Sequence, residues 1–245
     1  MDATPPRGSG MLTLALLAGC SSMHIPPPAD LGPPLPPAAV HAGGLDVGLG
    51  GQFLFYMPAA MHLRGAKAIA LGDGPMALEL GGNAGTGWAG LSPALHWAPR
   101  PRAGSAWYFG SRLGLTAGSG DQLGYNPLAD PYLGASLLGQ ASWTWGTAGA
   151  LTAALGWGYT GHTRCMLGCS YEVPSAEPDD LTDSQVHSYI PYNAPSLHLR
   201  ADLPAGDGYA FMIAMGAQPL LDAGDVLPIF SLSLGLHHHD PGPRW

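Results

Sequence analysis

The amino-acid sequence predicts an all-β chain that closes into an up-and-down antiparallel barrel and spans a membrane with its strands. Three observations favour this fold. Charged residues make up only 11% of the 245 positions, whereas an ordinary soluble domain has roughly 25%. Apolar residues recur at every second position after Gly44, which is typical of β-strands with two different faces. The sequence also lacks an uninterrupted apolar run of about 18 residues that could form a transmembrane helix, so a chain that spans a bilayer must do so as a closed barrel.

Four segments show the alternation most clearly. In each of them large apolar residues alternate with Gly, Ser, Thr or a polar residue, so one face suits lipid and the other suits a barrel lumen. The residues expected to face outward are Trp107, Phe109, Leu113 and Leu115; Leu133, Leu137, Trp143 and Trp145; Leu151, Leu155, Trp157 and Tyr159; and Leu197, Leu199 and Leu203. Tryptophans and tyrosines near the segment ends are typical of the aromatic girdles at membrane interfaces.

Six further segments bring the expected number of strands to ten. Eight strands are also possible, because the second and third segments are short and rich in Ala. The six segments are 45–56, 65–71, 76–82, 88–97, 209–218 and 228–236. The connections alternate between short ones at 73–75, 146–147 and 204–208 and long ones at 117–131 and 162–194, as in outer-membrane barrels with tight periplasmic turns and long outer loops. Both ends of the chain are therefore expected on the periplasmic side.

The N-terminus carries a short apolar run that ends in Leu17-Ala18-Gly19-Cys20 and is followed by Ser21-Ser22. It resembles a bacterial lipoprotein signal with its lipobox. The resemblance implies that residues 1–19 are a signal peptide, that Cys20 becomes the first mature residue, and that this cysteine receives the acyl chains. Because Ser21 replaces the aspartate that retains lipoproteins at the inner membrane in the enterobacterial rule, it also implies sorting to the outer membrane.

Residues 20–43 are expected to form a tether between this anchor and the barrel. Their prolines occur as Pro26-Pro27-Pro28, Pro33-Pro34 and Pro36-Pro37. Proline fixes φ, removes a backbone donor and favours an extended polyproline II conformation. We therefore expect a stiff spacer here, a barrel over 44–236 and a C-terminal tail over 237–245.

Several charged and polar residues fall among the positions expected to face the lumen. We expect them to pair with one another across a narrow interior, because an unpaired buried charge is costly. The predicted lumen residues are Glu79, Arg112, His198, Arg200 and Asp202, and Lys67 and His96 belong to the same inward set. A proton-transfer site is the alternative interpretation of this set.

The longest predicted outer loop contains Cys165 and Cys169, and a disulfide between them is expected in an oxidising envelope. The same loop carries acidic residues and a histidine that could bind a cation, although solvated loop charges are the more common case. These residues are Glu172, Glu177, Asp179, Asp180, Asp183 and His187. The run His237-His238-His239 could bind metal or belong to an unstructured tail. No metal site and no cofactor are predicted.

The functional hypothesis is a non-enzymatic outer-membrane protein, anchored by lipid, that has a surface or structural role or passes small solutes. The net charge of -8 argues against nucleic acid as a partner. The expected partners are outer-membrane lipid and the barrel-assembly and lipoprotein-processing machinery. Two alternatives stay open: a barrel enzyme that acts on lipid or peptide, and a soluble periplasmic β-sandwich lipoprotein that binds a ligand or partner.

Overall fold

The structure is a computed structural model that describes residues 33–41, 43–54, 57–85, 89–120, 130–146, 148–162, 190–222 and 225–238. These residues form one short helix, α1, and thirteen β-strands. The elements are α1 (Pro37–His41), β1 (Leu45–Leu54), β2 (Met57–Ala70), β3 (Met76–Gly85), β4 (Ala89–Leu91), β5 (Ala94–Trp97), β6 (Trp107–Gly120), β7 (Asp130–Trp145), β8 (Gly149–His162), β9 (Ile190–Gly206), β10 (Tyr209–Ala217), β11 (Leu220–Asp222), β12 (Asp225–Leu227) and β13 (Ile229–His238). No helix within the described ranges is long and apolar enough to cross a membrane.

The sheet closes on itself because the last strand pairs with the first. Leu45 lies opposite His238, and the antiparallel register of β1 and β13 continues to Leu54 opposite Ile229. Each remaining wall strand pairs with its neighbours in chain order. The barrel has ten wall positions, because β4 and β5 together fill the position between β3 and β6, while β11 and β12 form a short hairpin that pairs with β9 near the beginning of that strand. The prediction of a ten-stranded up-and-down barrel is confirmed, and the β-sandwich fold of the alternative is wrong because a sandwich keeps two separate sheets.

The interruption between β4 and β5 has a local chemical cause. Ser92 and Pro93 separate the two short strands, and Pro93 has no N–H group to donate to the neighbouring strand. The two halves nevertheless stay in line, since β4 and β5 both pair with β3 on one side and with β6 on the other. The single predicted strand at 88–97 is therefore divided.

The two ends of the barrel differ. At the end where β1 begins, which we call the near end, the connections are 71–75, 98–106, 146–148 and 207–208. The last of these places Asp207 at φ 43° between Gly206 and Gly208, both also at positive φ, a conformation that glycine adopts without strain. The far end carries the longest connection, 163–189, and also 121–129, which is as long as 98–106 at the near end. The connections predicted to be short lie at the near end and those predicted to be long lie at the far end, but the near-end connection 98–106 and the short far-end connections 55–56 and 86–88 depart from a strict alternation.

The strands extend further than the sequence predicted. The second strand begins at Met57 instead of residue 65, and β9 begins at Ile190, within a segment expected to be loop. The last strand continues through His238, so the first two residues of the expected tail 237–245 belong to the barrel wall. Their pairing with Leu45 and Asp46 of β1 explains this difference.

Candidate functional site in the barrel lumen

All five predicted lumen residues are buried and face inward. Glu79, Arg112, His198, Arg200 and Asp202 each expose at most 3% of their surface. His96 is inward as well. Lys67 is exposed, and its placement in the inward set was wrong. It lies opposite Leu45 and Leu80, which both face outward, and its Nζ donates to the Gly43 carbonyl at 2.6 Å.

Arg200 is the centre of the larger of two ion clusters. Its guanidinium bridges two carboxylates, donating from Nη2 to Asp46 Oδ1 at 2.9 Å and to Asp202 Oδ1 at 2.8 Å. Asp46 also lies 2.7 Å from His237 Nδ1 and 3.7 Å from Arg64 Nη2. These five side chains come from β1, β2, β9 and β13. Two carboxylates thus face two guanidiniums, which satisfies the need of buried charges for partners.

The second cluster consists of Glu79, Arg112 and His96. Arg112 donates from Nη2 to Glu79 Oε1 at 2.9 Å and from Nε to Oε2 at 3.3 Å. His96 Nε2 lies 2.7 Å from the same Oε2. The three residues come from the adjacent wall positions β3, β5 and β6. The expected pairing of lumen charges is therefore observed on two separate parts of the wall.

His198 belongs to neither ion cluster. It lies at the middle of β9, and its Nε2 is 3.2 Å from Nε2 of Gln218. Toward the far end the inward residues are uncharged hydrogen-bonding groups. They include Gln52, His62, Asn83, Thr116, Ser136, Thr160 and Ser196. Every buried Asp, Glu and Arg of the described residues lies in the half of its strand nearer to the near end, so the lumen has a charged half and a neutral half.

The charged half contains a segment that the sequence assigned to the tether. Residues 33–41 pack inside the barrel, and Leu35 and Val40 are fully buried. Both belong to an apolar cluster with Ala66, Ala68, Ala77 and Ala98. The described part of the tether differs from the expected extended spacer between anchor and barrel, because its polar backbone finds partners in the wall. We call residues 33–41 the plug.

Three wall residues donate to three successive carbonyls of the plug. Arg64 Nη2 donates to Pro33 at 3.1 Å, Arg200 Nη1 to Pro34 at 3.4 Å, and Gln140 Nε2 to Leu35 at 3.4 Å. The donors stand on β2, β9 and β7, which are well separated around the barrel. The plug is therefore held from several sides of the lumen.

Sequence reasoning missed Asp46, Arg64 and His237 as parts of this site. For Asp46 a signal was available, since it lies between Leu45 and Val47 in an alternating strand, and those outward residues imply an inward carboxylate. His237 was hidden by the neighbouring histidines, which suggested a tail.

Several predicted sites lie outside the described residues. These are the signal peptide 1–19, Cys20, the loop cysteines Cys165 and Cys169, and the acidic loop cluster with His187. Within the described ranges no group of three or more His, Cys, Asp or Glu side chains could hold a metal ion.

No protein-family model matches the sequence, and no curated protein matches it. Among solved structures the chain has a loose likeness to Ail, the attachment invasion locus protein of Yersinia pestis, with 8% identity and a TM-score of 0.37 over 80% of this chain and 97% of that one. A second likeness is to the translocator domain of the autotransporter NalP from Neisseria meningitidis, with 12% identity and a TM-score of 0.32 over 94% and 95% of the two chains. These scores are too low to assign a function.

Proposed function

We propose that this chain is a non-enzymatic, lipid-anchored β-barrel of a bacterial outer membrane, with its far end outward and its lumen closed to bulk flow. The near end, where β1 begins and β13 ends and where the connections 146–148 and 207–208 are tight, then faces the periplasm. The long connections at 121–129 and 163–189 are then presented outside the cell. Outer-membrane lipid surrounds the wall, and the barrel-assembly and lipoprotein-processing machinery are the partners needed to place it there.

The observation that carries this proposal is the apolar exterior of the barrel. Every wall position presents large apolar side chains outward. A protein surrounded by water rarely exposes so many large apolar side chains on one continuous surface. The ten wall positions each contribute one or more of these exposed side chains, for example, in chain order, Leu49, Leu63, Leu80, Leu95, Leu113, Leu137, Leu155, Leu199, Ile213 and Leu234. A hydrocarbon solvent removes the cost of this exposure, and closure through β1 and β13 leaves no unpaired edge among the ten described wall positions.

Aromatic residues near the near end support the placement of that end at a membrane interface. Trp107 lies opposite Trp143 on the neighbouring strand, and Trp143 packs against Trp145 with ring centroids 5.2 Å apart. Trp97 and Tyr209 are also exposed at the ends of their strands. A band of Trp and Tyr is typical of the interface between hydrocarbon and headgroups.

The plug and the ion clusters favour a surface or structural role over an open pore. Ten strands enclose little more than their own side chains, and wide aqueous channels require about sixteen strands. Here the near half also holds the plug with the fully buried Leu35 and Val40. The proposed barrel therefore passes small solutes at most through its lumen.

Membrane insertion can be tested by fractionating cells that express the full chain and comparing boiled and unboiled samples in detergent gels. We expect the protein in the outer-membrane fraction and a shift in mobility on boiling, because a closed barrel resists detergent until heated. A periplasmic protein that is soluble after removal of its lipid and migrates equally in both samples would refute the proposal.

Lipid anchoring needs a separate test at Cys20. Cells fed a labelled fatty acid should label the wild type and lose the label in Cys20→Ala, which would accumulate as unprocessed precursor. Cys165→Ala is the matched control, since it removes a thiol outside the lipobox, and it should keep the label. Equal labelling of Cys20→Ala and wild type would disprove the anchor while leaving the barrel assignment intact.

A further inference from the structure

The plug has an unusual backbone for a buried segment, because it offers acceptors but few donors. Residues 33, 34, 36 and 37 are all proline, and proline has no N–H group. Leu35 therefore carries the one N–H between residues 33 and 37. A buried backbone of this composition needs hydrogen-bond donors from its surroundings and leaves little donor capacity of its own unsatisfied.

The lumen wall supplies the complementary chemistry. Guanidinium groups are donors without acceptor capacity, and two of them, on Arg64 and Arg200, donate to the Pro33 and Pro34 carbonyls. The side-chain amide of Gln140 donates to the next carbonyl, that of Leu35. All three donors are at least 93% buried, so water competes little for these bonds.

An apolar pocket completes the match. Leu35 and Val40 are enclosed with four alanines, Ala66, Ala68, Ala77 and Ala98. Small side chains at these wall positions leave room for a branched aliphatic side chain, which larger residues would fill. The wall is thus complementary both to the backbone of the plug and to the side chains of Leu35 and Val40.

The barrel wall does not depend on the plug for its own hydrogen bonds. The described backbone bonds of the plug run from the Ala39 and Val40 amides to the Pro36 carbonyl and from the Gly44 amide, just before β1, to the Ala39 carbonyl. The ring of strands closes through β1 and β13 without any contribution from residues 33–41. The plug is therefore a ligand-like insertion and not a strand of the sheet.

We propose that the near half of the lumen is a binding site for proline-rich peptide segments, that residues 33–41 occupy it as a built-in ligand, and that a free peptide of the same kind binds when this ligand is removed. The proposal concerns the interior of the barrel and does not depend on the cellular location of the protein.

The test uses the full chain with residues 33–41 replaced by a Gly-Ser sequence of equal length. A fluorescently labelled peptide with the sequence PPLPPAAVH is titrated against the purified barrel in detergent, and its anisotropy is measured. We expect saturable binding to the replaced variant and none to the wild type, whose site is filled. A second peptide, AALAAAAVH, restores four backbone N–H groups and should bind at least about tenfold more weakly, because those donors lose water without gaining partners.

Gln140→Leu in the replaced variant removes one donor to the peptide without touching either ion cluster, and should weaken binding about fivefold. Gln52→Leu is the matched control, since Gln52 is an equally buried inward glutamine in the neutral half, and it should leave the affinity unchanged. Equal affinity for the proline and alanine peptides, or no binding to a replaced variant that still shows heat-modifiable migration, would overturn the proposal.

If the replaced variant does not fold, Leu35→Asp in the full chain provides the same test. A carboxylate among the alanines should expel the plug and allow the free peptide to bind. Failure of the proline peptide to bind a folded Leu35→Asp barrel would equally count against the site.

Discussion

Arg200 and Asp46 lie 154 positions apart in the sequence and form a two-point ion pair inside the barrel, with Nη2 donating to Oδ1 at 2.9 Å and Nη1 donating to Oδ2 at 2.5 Å. Two wall strands, β10 and β13, separate their own strands β9 and β1. The ion pair therefore crosses part of the lumen. It links β9 directly to β1, which the backbone hydrogen bonds of the sheet connect only through β10 and β13.

Arg200→Ala should be strongly destabilising. It leaves the buried carboxylates of Asp46 and Asp202 without their shared guanidinium, and loss of one partner of a buried ion pair typically costs about 3–5 kcal/mol. The measurement is the free energy of unfolding of the barrel in detergent, obtained by denaturant titration with boiled and unboiled gel migration as the readout.

The double variant Arg200→Met, Asp202→Asn is the control for charge. It removes one buried charge of each sign and leaves Asp46 facing Arg64 and His237, and so should recover most of the stability lost in Arg200→Ala. If the double variant were as unstable as Arg200→Ala, packing and not electrostatics would explain the loss.

The barrel itself could be predicted from the sequence because its signal is local. A strand whose two faces meet different solvents must alternate, and residues such as Leu197, His198, Leu199 and Arg200 show this directly. The alternation fixes which side chains point inward once the strand is recognised, and so the five predicted lumen residues are placed correctly.

The position of Lys67 could not be predicted by the same rule. The residues around it include Ala66 and Ala68, and small apolar residues are acceptable on both faces of a barrel strand. Only the register, which places Lys67 beside the outward Leu45 and Leu80, decides its direction. That register depends on long-range pairing, which local composition does not contain.

The plug was missed for a different physical reason. The prolines at 33–34 and 36–37 favour an extended backbone without donors, whether its carbonyls are met by water or by Arg64 and Arg200. A solvent-exposed spacer and a buried acceptor-rich ligand therefore have the same local sequence. What separates them is the set of donors on β2, β7 and β9, which the fold brings together.

The loss of stability on replacing an outward leucine by arginine should depend on how deeply that leucine lies in the hydrocarbon layer. Leu155 lies in the middle of β8 with 67% of its surface exposed. Leu155→Arg should lower the free energy of unfolding in lipid bilayers by about 2–4 kcal/mol, because a charge at the bilayer midplane is poorly solvated.

Leu71→Arg is the matched control. Leu71 is also exposed, but it lies beyond the near end of β2, where the expected cost is about 0–1 kcal/mol. Equal costs at both positions would mean that the exterior does not span a hydrocarbon layer.

Cys165 and Cys169 should form a disulfide in the far-end loop. The bond would close a short loop in an oxidising compartment and stabilise it mainly by restricting unfolded conformations. Mass spectrometry of intact protein treated with an alkylating reagent should find neither thiol modified before reduction and both modified after it. Modification of both thiols in the unreduced protein would exclude the bond.

The wild-type barrel should show at most small, fluctuating conductance in planar bilayers, since its near half is filled by the plug and two ion clusters. Arg112→Ala should increase this conductance, because it removes a large inward side chain and exposes the carboxylate of Glu79 to passing cations. Arg102→Ala is the control, since Arg102 is exposed in the near-end connection 98–106 and should leave the conductance unchanged. A large, steady conductance of the wild type would show that residues 33–41 do not close the lumen. An unchanged conductance in Arg112→Ala would instead place the barrier to ions at the plug alone, since the Glu79 cluster would then not limit their passage.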